Sequence, residues 1–183
     1  MTVIVRELSR LDRRALEVHF LALGTWDRRL RFGVPLNDAA IRAYVRRIDF
    51  DQDAAFGVFG DELQLLGVGH LGRGAGHAEL GVSVLEGHRD RGIGSALLGR
   101  AHMHARNWGV RSLFMHCLTE NGAMMHLARK QNMRIATEAG EADAWLELPP
   151  ADAASYLGAV FEQRVALFDY ALKQGRSWLA PKI

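Results

Sequence analysis

The sequence predicts an α/β fold, in which a β-sheet is covered by α-helices. An apolar run at residues 79–85 leads into a glycine-bearing turn, and apolar residues at helical spacing follow that turn. Residues 112–118 then form a nearly continuous apolar run, which is typical of a buried parallel strand. A strand, a crossover helix and a neighbouring parallel strand together form a right-handed βαβ unit. These observations place the chain in the α/β class.

The composition is that of a globular protein, since 49% of the 183 residues are hydrophobic and 24% are charged. The length is that of one ordinary domain, so we expect a single domain over residues 1–183. The first residues lack the pattern of a signal peptide, and nowhere do about 18 apolar residues follow one another. The single cysteine, Cys117, excludes an internal disulfide and fits a reducing cytosol. We therefore predict a cytoplasmic protein without membrane contact.

Local signals define the elements that precede the glycine turn. Residues 2–8 alternate and contain β-branched side chains, which predicts a strand. Ser9 and Asn37 are typical helix N-cap residues, and Gly60-Asp61 is a typical turn dipeptide. The predicted order is a strand (2–8), a helix (11–23), a loop rich in arginine and aromatic residues (24–33), a helix after Asn37, and three strands (54–59, 63–71 and 78–84).

After the glycine turn, apolar spacing predicts a helix that begins near Ile93 and ends at Gly109. Beyond Pro149-Pro150, the apolar residues between Ala154 and Leu172 recur along one helical stripe. We expect that stripe to pack on the body of the protein or on a second copy, which makes a homodimer an open prediction. The remaining predicted elements are a strand (112–118), a helix that begins at Asn121, and two strands (134–138 and 144–148).

The glycine turn is suited to bind phosphate, because its glycines let the backbone approach an anion and the helix start offers unpaired N–H groups. A Walker loop is excluded, since Ser95-Ala96 follows Gly94 where Lys-Ser/Thr is required. A dinucleotide fingerprint is excluded too, because Leu97 stands where the third glycine is needed. The remaining motif, Arg/Gln-x-x-Gly-x-Gly/Ala, is matched by Arg89, Gly92 and Gly94.

This motif resembles the acyl-CoA pyrophosphate loop of the GNAT superfamily of N-acetyltransferases. The order of predicted elements matches as well, and the resemblance covers residues 2–149, which leaves residues 150–183 as a C-terminal helical extension. It implies a mixed, mostly antiparallel central sheet with helices on both faces, and acetyl-CoA as cosubstrate without a metal ion. The residues implied to bind acetyl-CoA are Val82, Val84, Arg89, Asp90, Arg91, Gly92, Ile93, Gly94, Ser95 and Asn121.

The implied roles differ along the cofactor. Backbone groups around Val82 and Val84 would pair with the pantetheine amides as an added strand does. The N–H groups of residues 89–95 would hold the pyrophosphate, with Arg89 and Arg91 adding guanidinium charge. Asn121 has two interpretations of equal standing, a contact to the cofactor and a plain helix N-cap.

Transfer to an amine requires a base, because an alkylammonium group has a pKa of about 10. Glu79 matches a glutamate that many GNAT relatives carry on the strand before the loop, so the resemblance implies this residue as catalytic base. His70 and His116, on neighbouring predicted strands, are the other candidate bases. In the implied mechanism the amine attacks the thioester directly within a ternary complex.

The chain departs from the family pattern where a tyrosine usually protonates the CoA thiolate. Ala128 occupies that position, and Asn132-Met133 replaces the Gly-Phe that commonly closes the helix. Tyr156 or water are substitutes, since a thiol with a pKa near 8.5 is a tolerable leaving group even unprotonated. The departure keeps a second hypothesis open, a non-catalytic acyl-CoA-binding or regulatory domain.

The acceptor is less well defined than the cofactor. A small-molecule amine and a protein lysine or N-terminus are both consistent with the sequence. Residues 26–32 are similar to a Ser/Asp-Arg-x-x-Arg-Phe stretch in the acetyltransferase domains of some bacterial protein acetyltransferases. The net charge of only +2 gives no indication of nucleic-acid binding.

Overall fold

The computed structural model describes residues 3–179, and a seven-stranded sheet runs through this part of the chain. The strands are β1 (Arg6–Glu7), β2 (Ala54–Phe59), β3 (Leu65–Arg73), β4 (His77–Val84), β5 (Ser112–Leu118), β6 (Arg134–Glu138) and β7 (Glu141–Glu147). The α-helices of the same part are α1 (Arg13–Leu21), α2 (Thr25–Phe32), α3 (Asp38–Arg47), α4 (Ile93–Asn107), α5 (Gly122–Lys130) and α6 (Ala153–Leu179). The spatial order of the strands is β1-β2-β3-β4-β5-β7-β6.

One parallel pair interrupts an otherwise antiparallel sheet. β4 and β5 run in the same direction, as the predicted βαβ unit requires, and every other neighbouring pair is antiparallel. Their pairing spans only His77 to Glu79 on β4 and Ser112 to Phe114 on β5. Beyond Glu79 both described strands continue without pairing to each other, so a gap opens between them. The mixed, mostly antiparallel sheet is confirmed.

Helices cover both faces of the sheet, as expected. On one face α4 and α5 bury residues such as Leu97 against Leu71, Leu80 and Leu113. On the other face α1 and α3 form a second core around Phe20. The second core is completed by Leu16, Ile41, Val45 and Val68. Alternate residues of β3 and β4 face these two cores, as strand geometry requires.

A helix replaces the predicted loop at residues 24–33. α2 lies between Gly24 and Gly33, whose left-handed backbone (φ 77°) ends the helix in the way that favours glycine. Arg28 donates hydrogen bonds to the carbonyls of Leu21 and Leu23 (2.8 and 2.9 Å), which ties α2 to the end of α1. The segment is short and polar, so its helix depends on these contacts and on packing against β4 and β5. A pattern search along the sequence does not detect such contacts.

Two further expectations need correction. The predicted first strand, residues 2–8, pairs with β2 only at Arg6–Glu7; Thr2 lies outside the described residues. Ser9 is an N-cap, as predicted, but it begins a single 3₁₀ turn, and α1 starts only at Arg13. The capping box between Ser9 and Asp12 satisfies the backbone N–H groups at this turn.

The face of the C-terminal helix α6 that packs on the body is not the predicted apolar stripe. Gln163 accepts a hydrogen bond from the backbone N–H of Glu7 (2.9 Å), and Ala166 is buried. Leu157, Phe161 and Phe168 of the predicted stripe are instead 71%, 69% and 67% exposed. The alternative in which this stripe packs on the body is therefore wrong, and packing on a second copy stays a prediction. Among residues 3–179, none of the helices is long and apolar enough to cross a bilayer.

Candidate active site

A cleft of about 430 Å³ opens where β4 and β5 separate. Its walls are the end of β4, the turn before α4, the first turns of α4 and α5, and one side of α2. Nine of the ten residues implied to bind acetyl-CoA line it: Val82, Val84, Arg89, Asp90, Gly92, Ile93, Gly94, Ser95 and Asn121. The tenth, Arg91, is exposed and is not part of the wall. Residues far apart in sequence thus meet in one concave site.

The turn before α4 presents backbone N–H groups to this cleft. Gly92 is the N-cap of α4 and has a left-handed conformation (φ 79°), a backbone geometry that favours glycine. Asp90 also has a positive φ of 59°. No side-chain cap forms at this helix start, so the N–H groups of Ile93, Gly94 and Ser95 keep their hydrogen-bonding capacity. Such a helix start binds anions, above all phosphates.

Arg89 is held at this end of the cleft by a carboxylate of α2. Its Nη2 lies 2.6 Å from Oδ1 of Asp27, and its Nε donates to the carbonyl of Val84 at 3.3 Å. Sequence reasoning missed Asp27, because nothing local links residue 27 to the turn. It also missed Lys130 and His126, which line the cleft from α5 and add basic character beside the turn.

Asn121 is a helix N-cap whose side chain also contacts α2. Its Oδ1 accepts a hydrogen bond from the N–H of Met124 (3.1 Å), so the N-cap interpretation is confirmed. Its Nδ2 donates to the carbonyl of Leu30 on α2 at 3.3 Å, and the residue is buried in the cleft wall. Asn121 thereby joins α5 to α2 across the site, while contact with a cofactor remains a prediction.

Glu79 lies at the last parallel pair, where the two strands separate. It is exposed and pairs through its backbone with Gly72 of β3 and Phe114 of β5. Its side chain points to the same face of the sheet as Gly81, because strand residues alternate. Glu79 does not belong to the wall of the cleft. It lies instead at the point where β4 and β5 separate, which is called the apex of the cleft.

His70, one of the other candidate bases, belongs to a hydrogen-bonded chain on that same face. Its Nδ1 lies 2.7 Å from the hydroxyl of Tyr44, and its Nε2 lies 3.2 Å from Oδ2 of Asp53. Burial and the nearby Arg31 charge lower the pKa of His70, against the opposing effects of Asp53 and Glu79. His70 is therefore neutral at pH 7 and hydrogen-bonded through both ring nitrogens.

His116 and Tyr156 both lie outside the cleft. His116 of β5 is exposed, with its Nδ1 2.7 Å from Oδ1 of Asp143 on β7. The hydroxyl of Tyr156 donates to the carbonyl of Asn107 (3.1 Å), the last residue of α4. The structure therefore gives no support to Tyr156 as the proton donor to the thiolate, and that role stays a prediction.

A model of the acetyltransferase (GNAT) family matches residues 20–133, a range that contains α2, β4 and the turn before α4. The chain belongs to the GNAT family. No curated protein matches it. This GNAT chain is similar to the solved GNAT domain of PAT from S. lividans, with 21% identity and a TM-score of 0.67 over 79% of this chain and 89% of that one.

Two further solved structures show the same fold. A ribosomal-protein-alanine N-acetyltransferase from Brucella melitensis is 18% identical, with a TM-score of 0.61 over 80% of this GNAT chain and 100% of that one. A GNAT phosphinothricin acetyltransferase from Sinorhizobium meliloti, solved in complex with AcCoA, is 14% identical, with a TM-score of 0.64 over 84% and 95%. At these identities the likeness concerns the fold alone.

Proposed function

We propose that the protein is an acetyl-CoA-dependent N-acyltransferase that moves an acetyl group to a primary amine. The observation that carries this proposal is the cleft between β4 and β5, which has an open helix start at one end and leads towards the point where the two strands separate, at Glu79. Both the family and the fold support acyl transfer in general. Acetyl-CoA and the amine are the parts that the proposal adds.

The residues present fit acetyl-CoA. The pyrophosphate is assigned to the free N–H groups of residues 93–95, with positive charge from Arg89 and Lys130 nearby. Beyond Glu79, β4 has an unpaired edge towards the gap, which an extended pantetheine arm fills as an added strand does. The thioester then lies at the apex, beside Gly81 and Glu79. Bound acetyl-CoA supplies the acetyl thioester and needs no metal ion for this reaction.

The acceptor is assigned to the face of the sheet that carries Glu79 and His70. The acceptor arrives as an ammonium ion and gives one proton to the Glu79 carboxylate, and the lone pair so freed attacks the thioester carbonyl directly. The nitrogen loses its second proton to water as the amide forms. A C–N bond forms, the C–S bond breaks, and CoA leaves as a thiolate with a pKa near 8.5. No tyrosine is needed for departure, which accommodates Ala128 at the usual tyrosine position.

The test begins with acetyl-CoA binding by calorimetry, and absence of binding would contradict the proposal at its first step. Turnover is then followed as release of free CoA thiol with a panel of amines. Glu79→Gln should leave the Kd of acetyl-CoA unchanged and lower turnover about 100-fold, the usual contribution of a positioned base. Glu138→Gln, an exposed glutamate on β6, is the matched control and should behave as wild type. Equal turnover in the wild type, Glu79→Gln and Glu138→Gln would show that Glu79 is not the base.

The second candidate function is a non-catalytic acyl-CoA-binding domain, favoured by Ala128 in place of the tyrosine. The same thiol assay separates the two functions. Tight acetyl-CoA binding without thiol release on any amine would support the binding domain. The acceptor panel includes small amines, a lysine peptide and a peptide with a free N-terminal alanine, because a structural neighbour acetylates ribosomal-protein alanine according to its name.

A further inference from the structure

Arg31 lies at the end of the cleft beside Gly81, where the thioester is assigned. This end is called the reacting end, and the turn to which the pyrophosphate is assigned is called the phosphate end. It belongs to the cleft wall, and its guanidinium covers Gly81 of β4 so closely that a Cβ there would have no space. Asp27, which holds Arg89 at the phosphate end, precedes Arg31 by one helical turn on the same side of α2. From Gly81 to Val84 the strand spans about 10 Å. Arg31 therefore lies about 10 Å along β4 from the end of the strand that leads to the turn.

The guanidinium of Arg31 has more donors than its surroundings use. A guanidinium carries five N–H donors, and here Nη2 donates to the hydroxyl of Tyr44 at 3.0 Å. Its Nε is buried and has no hydrogen-bond partner among the described residues. No Asp or Glu oxygen in residues 3–179 lies within 4.0 Å of it in an ion pair. The other cleft arginine, Arg89, has Asp27 as its partner.

Aromatic rings hold this cation in place without neutralising it. Its Cζ lies 4.9 Å from the ring centroid of Phe32, 5.8 Å from that of Tyr44 and 5.9 Å from that of Phe20. These contacts fix the plane of the guanidinium at low entropic cost and do not use its N–H donors.

The positive charge of Arg31 is felt by its neighbours. Together with burial, which is the larger cause, it lowers the pKa of His70 and of His19. Arg31 is half-buried, so its guanidinium is partly withdrawn from water, and it makes no direct ion pair with a described carboxylate. A ligand anion at this position gives the guanidinium a direct partner.

We propose that Arg31 binds a carboxylate that one of the two reacting molecules brings to the apex of the cleft. A carboxylate matches the planar fork of the guanidinium and its single charge. This inference rests on the proposed function and narrows its substrate class. The carboxylate belongs either to the amine acceptor, as in an α-amino acid, or to the end of the acyl chain, as in succinyl-CoA.

The first arm tests the acceptor, using products so that binding is measured without turnover. N-acetylglycine and N-acetylglycinamide differ in the carboxylate alone, and both are titrated by NMR into the free protein and the CoA-saturated protein. The acid should bind about 30-fold or more tightly than the amide, the minimum expected for a buried charge pair. Arg31→Met should abolish that ratio, whereas Arg31→Lys, which keeps the charge but lacks the fork, should restore part of it.

The second arm tests the acyl chain with succinyl-CoA against acetyl-CoA. If the carboxylate is on the acyl group, the wild type should prefer succinyl-CoA about 30-fold or more, and Arg31→Met should lose this preference. Arg29→Met is the matched control, because it removes the same charge from α2 at a residue outside the cleft wall. It should keep whichever preference the wild type shows.

A second variant tests whether Arg31→Met loses the carboxylate preference only because it fails to fold. Gly81→Ala leaves Arg31 in the chain but pushes its guanidinium away from the strand, so it should abolish the same preference while the circular dichroism spectrum stays that of the folded wild type. A merely structural role would weaken both members of each pair equally. If neither pair is discriminated by the wild type, or if Arg31→Met keeps the preference, the inference is overturned. Failure to bind acetyl-CoA and succinyl-CoA alike would instead contradict the proposed function.

Discussion

The two ends of the cleft are built in different ways. The phosphate end consists of consecutive residues, 92–95, and offers backbone N–H groups at the start of α4. The reacting end consists of side chains from separate elements, with Arg31 from α2, Tyr44 from α3 and His70 from β3. A site made of backbone groups is therefore encoded by a short sequence motif. A site made of side chains from several elements exists only once the whole fold has formed.

The largest effect is expected at the phosphate end, where Gly94→Glu places a carboxylate at the assigned pyrophosphate site. A substitution without effect would show that this end does not bind an anion through its backbone. A carboxylate in the first turn of α4 stabilises the empty helix but repels and obstructs a pyrophosphate. Acetyl-CoA binding, measured by calorimetry, should weaken about 100-fold or more. Gly99→Glu on the exposed side of the same helix is the control, since no atom outside the helix backbone lies within 4 Å of its added Cβ. Equal losses in both variants would argue against an anion site here.

The next effect is on stability and comes from His19 of α1, which lies beneath β4 at Ser83. His19 Nε2 lies 2.8 Å from the Ser83 hydroxyl and Nδ1 lies 2.9 Å from the Leu65 carbonyl. Burial, partly offset by the bond to Leu65, lowers the pKa of His19 from 6.5 to about 4. The unfolded chain therefore binds a proton at a pH where the folded protein does not. Stability is present above about pH 6.5 and is lost as pH falls towards 4.

Urea unfolding at pH 7 and pH 5 measures this loss. The free energy of unfolding should fall by about 2 kcal/mol more in the wild type than in His19→Gln. Ser83→Ala is the matched variant, because it removes a hydrogen bond but leaves His19 buried and titratable. It should lower stability at both pH values and keep the difference between them. A His19→Gln protein with the wild-type pH dependence would show that this histidine does not carry the effect.

The smallest effect concerns the ion pair that holds Arg89 at the phosphate end, between Asp27 and Arg89. Because this pair is partly exposed, its net contribution is small and sensitive to salt. Arg89→Gln should weaken acetyl-CoA binding several-fold, whereas Asp27→Asn should strengthen it about 2- to 3-fold by freeing the guanidinium for phosphate. Calorimetry at low and high salt checks both. Weaker binding in Asp27→Asn would show that Asp27 orients Arg89 rather than competing for it.

Sequence reasoning succeeded where the signal is local. Strands 54–59, 112–118 and 134–138 were predicted with the bounds that the structure shows, since each is a short apolar or β-branched run between turn residues. The turn at Gly92 and Gly94 was likewise predicted, because a left-handed N-cap and an open helix start require these residue types within a few positions.

The errors occurred where distant contacts decide the structure. Helix α2 depends on Arg28 and on packing against the sheet, so residues 24–33 resemble a loop in isolation. The apolar stripe of α6 has helical spacing, but periodicity does not say which face meets the body. The network of Arg31, Tyr44 and His70 could not be predicted from the sequence either. Its members lie on α2, α3 and β3, and only the folded sheet brings these elements together.

The short pairing of β4 with β5 has a consequence for the sheet as a whole. Within residues 3–179, only the stretch from His77 to Glu79 pairs the four strands β1–β4 with the three strands β5–β7. The sheet therefore contains a seam, and under the proposed function a pantetheine arm in the gap would act as an inserted strand that closes it. Ligand concentration then sets how continuous the sheet is, because binding to the folded state alone stabilises that state. Hydrogen exchange along the β4 edge reports the closing of this seam directly.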